Sequence, residues 1–179
     1  MDNLKKIKYK LIDNFLKEDE LKLLQKYCDI RHYENKTNFD FKQNKNGDTC
    51  YYSDPLMESL MINKRKLMEK ETNLLLYPTY SFWRMYTFGA DLKKHQDRPS
   101  CEISVTVQIN GDSDWPIFMG GKEVVLKNGQ AVAYCGIEIE HWREELKGDF
   151  QAQAFLHYVD KDGPHAEWAF DKRKNLGEQ

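Results

Sequence analysis

Residues 102–109, EISVTVQI, decide the architecture. Ile103, Val105, Val107 and Ile109 alternate with Ser104, Thr106 and Gln108, which is the two-residue period of a strand with one apolar and one polar face. The polar face is expected to be solvated or to line a polar cavity. The pattern extends in both directions. Upstream, after Pro78, Tyr80, Phe82, Arg84, Tyr86 and Phe88 share one strand face, while Ser81, Trp83, Met85 and Thr87 share the other. Downstream, strands are predicted over 123–126, 130–135 and 151–159. Asn110-Gly111 and Asn128-Gly129 are turn dipeptides of the hairpin type. Ahead of this region the chain reads as helical, after a short strand over 8–12. Leu21, Leu24 and Tyr27, led in by Phe15 and Leu16, have helical spacing. Asp54-Pro55 opens a second helix running to about residue 72, with Asp as the cap and Pro at the first helical position. Residues 34–50, ENKTNFDFKQNKNGDTC, are polar and read as a mobile surface loop. Helices first and many short strands after predict a mainly β fold, a β-sandwich or jelly roll with helices packed on one sheet. No boundary for a second domain is visible. Residues 1–179 read as a single domain, with 1–78 as helical support and 79–159 as the jelly-roll core.

The bulk properties restrict the partners. The chain has 179 residues, 40% hydrophobic and 31% charged, with a net charge of −2 and 13% aromatic residues. Charges of both signs are mixed, and no basic stripe of the kind that binds nucleic acid is present. Short basic runs such as Lys172-Arg173-Lys174 read as solvated surface. MDNLKKIKYK lacks the apolar run of a secretion signal, and no stretch is long enough to cross a bilayer. Cys28, Cys50, Cys101 and Cys135 form no CxxC pair and read as reduced thiols. The expectation is a cytoplasmic monomer that binds neither nucleic acid nor membrane.

Three residues carry candidate chemistry. His95 and Asp97 form a His-x-Asp pair, and His141 lies downstream, beyond the tight segment Cys135-Gly136-Ile137. In extended chain, residues i and i+2 point the same way, so the imidazole and the carboxylate can take adjacent positions on one metal. A second imidazole from a neighbouring strand completes one triangular face and leaves the opposite face open. Non-haem Fe(II) oxygenases use this geometry. Three protein ligands leave two sites for a chelating co-substrate and one for O2, whereas four would block the chemistry. The His-x-Asp pair alone is a weak signal among five histidines.

The surrounding sequence adds to it. Residues 84–110, RMYTFGADLKKHQDRPSCEISVTVQIN, resemble the metal-binding half of prolyl 4-hydroxylase-like 2-oxoglutarate oxygenases. That family places a Tyr-x-x-Gly segment before His-x-Asp and a strand ending in apolar-Asn after it. Residues 127–159, KNGQAVAYCGIEIEHWREELKGDFQAQAFLHYV, resemble the second half, with a Gly-containing turn, a strand, the distal His and a final strand. NFLKEDELKLLQKY is similar to the family's opening helix. The resemblance implies a double-stranded β-helix holding Fe(II) through His95, Asp97 and His141. It implies 2-oxoglutarate and O2 as co-substrates, with ascorbate as an allowed reductant, and Tyr86 at the position that binds 2-oxoglutarate. The family's reaction yields succinate and CO2 and hydroxylates a substrate C–H bond. A prolyl residue in a peptide or protein is the implied substrate, with the 34–50 loop as a lid over it. A small molecule is the alternative.

One residue departs from the family pattern. The Lys or Arg that pairs with the far carboxylate of 2-oxoglutarate stands about ten residues after the distal His, and here that position is Gln151, with Gln153 on the same strand face. A neutral amide cannot neutralise a buried carboxylate, and leaving such a charge unpaired is costly. Three cations can compensate. Arg84 shares its face with Tyr86 and is favoured for the co-substrate. Arg98, next to Asp97, is assigned to substrate, as is Arg143 with Trp142. Ser104, Gln108, Gln151 and Gln153 are expected around the co-substrate. Trp83, Tyr86 and Trp142 either narrow the iron mouth or pack in the core, and Trp115 and His157 are expected to pack. The missing cation favours a rival reading, a cupin-like metal-binding module or isomerase.

Overall fold

The computed structural model describes residues 8–34 and 47–177. Among them are ten strands in two antiparallel sheets and two α-helices. The larger sheet has the order β1 (Tyr9–Ile12), β8 (Ala131–Tyr134), β5 (Ile103–Gly111), β10 (Phe150–Asp160), β3 (Leu76–Thr87) and β2 (Thr49–Tyr52). The smaller has the order β4 (Leu92–His95), β9 (His141–Arg143), β6 (Ile117–Met119) and β7 (Lys122–Val124). The two face each other as a jelly roll, and α1 (Glu18–Glu34) and α2 (Pro55–Thr72) cover the outer side of the larger sheet.

Period-two alternation gives the larger sheet two different faces. Ile103, Val105, Val107 and Ile109, with Ala152, Ala154, Leu156 and Tyr158, join Leu24, Met57, Met61 and Met68 of the helices in the main core. Ser104, Thr106, Gln108, Gln151, Gln153 and His157 form the other face. It too is buried, because it looks across at the smaller sheet instead of at solvent. Trp83 lies in the helix-side core, stacked on Tyr51 at 5.3 Å between ring centroids. It is three positions from Tyr86 and so of opposite parity, and it does not narrow a mouth.

The second helix starts where the sequence places it. Asp54 Oδ1 accepts from the backbone N–H of Leu56 at 3.0 Å and of Met57 at 3.2 Å, and Tyr27 donates its hydroxyl to the other oxygen. Asn73 ends the helix in the left-handed conformation, φ 57°.

Several sequence expectations need correction. Strands β4, β6 and β9 span three or four residues, too few for a period to show. Asn110-Gly111 is not a turn but the end of β5. Gly111 stands opposite Gln151, and a Cβ there would come within 2.2 Å of the Gln151 Oε1 atom, so close side-chain approach explains the glycine. The 34–50 loop ends early. Thr49 and Cys50 already pair with β3, and Asp48 is buried. The rest of that loop, and with it the lid reading, lies outside the described residues. All four cysteines are buried, and none is in a disulfide. No helix among the described residues is long and apolar enough to cross a membrane.

The cap provides a first prediction. Asp54→Ala removes two bonds at the start of α2 and strands the Tyr27 hydroxyl, and should cost about 2 kcal/mol. A lowered urea midpoint with an unchanged m-value would show it.

Candidate active site

The edges of two sheets bring three distant residues together. His95 ends β4 and His141 begins β9, and these two residues stand opposite each other in the ladder. Asp97 follows two residues after His95. Its peptide N–H donates to the Gly136 carbonyl at 2.9 Å, which ties it to the turn before β9. Asp97 Oδ1 lies 3.5 Å from His95 Nε2 and 3.6 Å from His141 Nε2, and all three ligand atoms lie within 4.8 Å of one another.

The back of each ligand is fixed. His95 Nδ1 is 2.7 Å from the Lys93 carbonyl, and His141 Nδ1 is 3.0 Å from the Ile139 carbonyl. A carbonyl can only accept, so each Nδ1 carries the proton in the neutral ring and each Nε2 presents a lone pair. Ser104 donates to Asp97 Oδ2 at 2.9 Å, leaving Oδ1 to face the two imidazoles. Right-angle coordination with bonds of about 2.1 Å separates donor atoms by about 3 Å, so small movements would close this triangle on one cation. Two neutral nitrogens and one carboxylate, on one side only, fit a ferrous ion.

Gly136 lies directly beneath Asp97. A Cβ there would come within 2.3 Å of Asp97 Oδ2, 2.5 Å of the Cys101 carbonyl oxygen and 2.7 Å of Ser104 Oγ. His157 also supports the acid, since Ser104 Oγ is 3.0 Å from His157 Nδ1. Burial pushes the His157 imidazole down to about 4, against a weaker upward pull from Asp97. Burial raises the Asp97 carboxyl, but its bond to His95 and the neighbouring His157 and His141 rings leave it below its usual value.

The three groups open onto a cavity of about 270 Å³. Tyr52, Tyr80, Phe82, Arg84, Tyr86 and Phe155 line it from the larger sheet, and Leu92 and Ile117 from the smaller. Tyr134 lies edge-on to His141, with ring centroids 4.9 Å apart. Arg84 and Tyr86 therefore look inward as their parity requires. The Arg84 charge is already matched, because its Nε donates to Asp48 Oδ2 at 2.7 Å and its Nη2 also pairs with that oxygen. Arg98 is on the rim and makes a two-pronged bond to Asp171, both contacts at 2.7 Å.

Other residues lie elsewhere than expected. Ser104 bonds Asp97 and does not line the cavity. Gln153 donates to Gln108, Gln108 to Gln151, and Gln151 to the Ser113 carbonyl, so these amides are spent largely on one another. Trp142 points away from the cavity and stacks on Phe118 at 5.2 Å, because it has the opposite parity to His141 on β9. Arg143 has the same parity as His141 and is not at the mouth but inside, 2% exposed. Its Nη1 donates to the Trp115 carbonyl and its guanidinium lies 4.6 Å from the Trp115 ring centroid. Nε and Nη2 have no hydrogen-bond partner among the described residues. Burial lowers Arg143 to about 10, which leaves it charged at neutral pH.

Asp48, Tyr134 and His157 were missed as site residues. Strand parity could have found Tyr134 and His157. Nothing local marks Asp48.

No protein-family model matches the sequence, and no curated protein matches it. Solved structures do match. The chain is similar to a prolyl-4-hydroxylase from Pseudomonas putida, with TM-score 0.63 and 17% identity, over 84% of this chain and 92% of that one. It is also similar to EctD from S. alaskensis with 2-oxoglutarate and 5-hydroxyectoine, with TM-score 0.68 and 13% identity, over 93% and 80%. A third match is the α-ketoglutarate-dependent epimerase SnoN from nogalamycin biosynthesis, with TM-score 0.72 and 9% identity, over 96% and 87%. The fold is that of the 2-oxoglutarate/Fe(II) oxygenases. At such identities the likeness shows the fold, while the chemistry must be argued from the site.

Two predictions follow from this geometry. Gly136→Ala should displace the Asp97 carboxylate and weaken Mn(II) binding about 10–100-fold, measured by calorimetry, with the far-UV circular dichroism unchanged. The second concerns His157, which is neutral in the folded protein, while its unfolded counterpart takes up a proton near pH 6.5. Metal-free protein should therefore lose stability as pH falls from about 6.5 towards 4, by up to about 3 kcal/mol from this residue. Denaturant titrations at pH 7 and 4.5 should show a smaller loss in His157→Gln.

Proposed function

We propose that this chain is an Fe(II)- and 2-oxoglutarate-dependent oxygenase that hydroxylates a C–H bond. The observation that carries the reading is the convergence of two imidazole Nε2 atoms on one Asp97 oxygen at 3.5 and 3.6 Å, with each imidazole held in the ligating tautomer from behind. His95, Asp97 and His141 would hold the iron. Bound iron with 2-oxoglutarate would supply oxidative power that no side chain has. The chain's own residues position and shield. Ser104 keeps one Asp97 oxygen occupied so that the other faces the metal. The buried Tyr86, Tyr134 and Ile117 exclude water from the cavity wall, and the half-buried Tyr52, Tyr80, Phe82 and Phe155 offer aromatic surface.

For the substrate we infer a prolyl residue presented by a peptide or protein. The aromatic walls suit a saturated ring, and the likeness to the Pseudomonas putida enzyme agrees. A small-molecule substrate is the second reading, favoured by the higher TM-scores to EctD and SnoN. Four buried thiols outside any disulfide suit a reducing compartment such as the cytoplasm.

Anaerobic protein given Fe(II) and 2-oxoglutarate should develop a weak visible charge-transfer band, and admission of air should then yield succinate. His95→Ala and Asp97→Ala should each abolish both signals. Succinate formation that survives either change would overturn the assignment of these ligands. Stimulation of turnover by a prolyl peptide, and not by free small molecules, would separate the two substrate readings.

A further inference from the structure

Resting on the oxygenase reading above, we infer that Arg143, two residues after the distal histidine, takes the far carboxylate of the co-substrate in place of the cation missing at Gln151. Two arginines, Arg84 and Arg98, line the cavity and are already matched, and a third, Arg143, lies behind its wall next to the lining residues Tyr86 and Tyr134. Arg84 pairs with buried Asp48, and Arg98 with Asp171. Among the described residues, no carboxylate pairs with Arg143. The residue is 2% exposed, with one nitrogen on the Trp115 carbonyl and two without a hydrogen-bond partner among the described residues. A buried cation in that state calls for an anion, since an unpaired buried charge is the costly case and nearly all buried polar groups find partners.

The position agrees. His141 and Arg143 lie on the same face of β9, about 6.6 Å apart along the strand. The cross-strand partner of His141 is His95, and that of Arg143 is Leu92, which lines the cavity. The strand therefore runs from the metal site to the guanidinium over the length of a five-carbon diacid. Trp115 fixes the guanidinium from behind. Its own indole N–H is held by the Glu144 carbonyl at 2.8 Å, and its ring meets Tyr86 edge-on at 4.8 Å. Gln151 is not available for the task, because its amide already bonds Ser113 and Gln108. An arginine fork matches a carboxylate with two parallel bonds, and two N–H-bearing nitrogens remain for them.

The test compares two 2-oxo acids by calorimetry on Mn(II)-loaded protein. 2-Oxoglutarate and 2-oxopentanoate share the chelating head and the carbon count, and differ in the far carboxylate. Wild-type protein should prefer 2-oxoglutarate on the order of 100-fold. Arg143→Met should bind both acids about equally, and its unliganded melting temperature should not fall, because the change removes an unpaired buried charge. Arg143→Lys keeps the charge without the fork and should retain part of the preference, which serves as the test if the Met variant does not fold. Full preference for 2-oxoglutarate in either variant would overturn the assignment, and loss of preference in Arg84→Met alone would move the role there. If neither acid bound the Mn(II)-loaded wild type, the oxygenase reading itself would fall.

Discussion

The structure depends on one convergence of polar atoms. Two imidazole nitrogens and one carboxylate oxygen meet at the edge of a jelly roll, each held from behind by groups that can only accept or only donate in that position. The Lys93 and Ile139 carbonyls fix the imidazole tautomers, and Ser104 occupies the second Asp97 oxygen. Without a shared cation, the three groups meet only through the 3.5 and 3.6 Å separations of Asp97 from the two imidazoles. With one, the same arrangement is a preorganised facial site. Gly136 is the steric condition for it, since any side chain there would push the acid out of line.

The distribution of positive charge extends the same logic. A cavity of this size holds either solvent or a ligand, and the arginines in and behind its wall are not equivalent. Arg84 and Arg98 have carboxylate partners supplied by remote parts of the chain, Asp48 before β2 and Asp171 near the C-terminal end. Each such pair fastens a peripheral segment to the cavity wall. Arg143 has instead a backbone carbonyl, an aromatic ring and two unsatisfied nitrogens. The amide chain Gln153–Gln108–Gln151 fills the place where a cation on β10 would otherwise stand. Neutral residues there and a charged one on β9 are two halves of one rearrangement of the cavity.

Much of the fold was legible because it follows from short-range rules. Alternation over 102–109 and 80–88 gave β5, β3 and their inward faces, and Asp54-Pro55 gave the start of α2 to the residue. The candidate triad was legible as spacing, and its likeness to a known pattern grouped His141 with His95 and Asp97. Parity was also available but was not carried far enough. It would have turned Trp142 outward and Arg143 inward from the position of His141 alone. That β4, β6 and β9 are strands at all was not legible, since three or four residues do not show a period.

By itself the sequence determined which residue types alternate, where helices can begin, and which three side chains could share a metal. These are local properties, set by backbone geometry and by the chemistry of single residues. Tertiary structure alone decided which charges are matched. An arginine on a strand carries the same charge whether or not an acid reaches it, and Asp48 and Asp171 lie 36 and 73 residues from the arginines they pair with. Whether a buried cation is neutralised or left waiting for an anion is a property of the packing, because Coulomb attraction acts through distance in space and not along the chain.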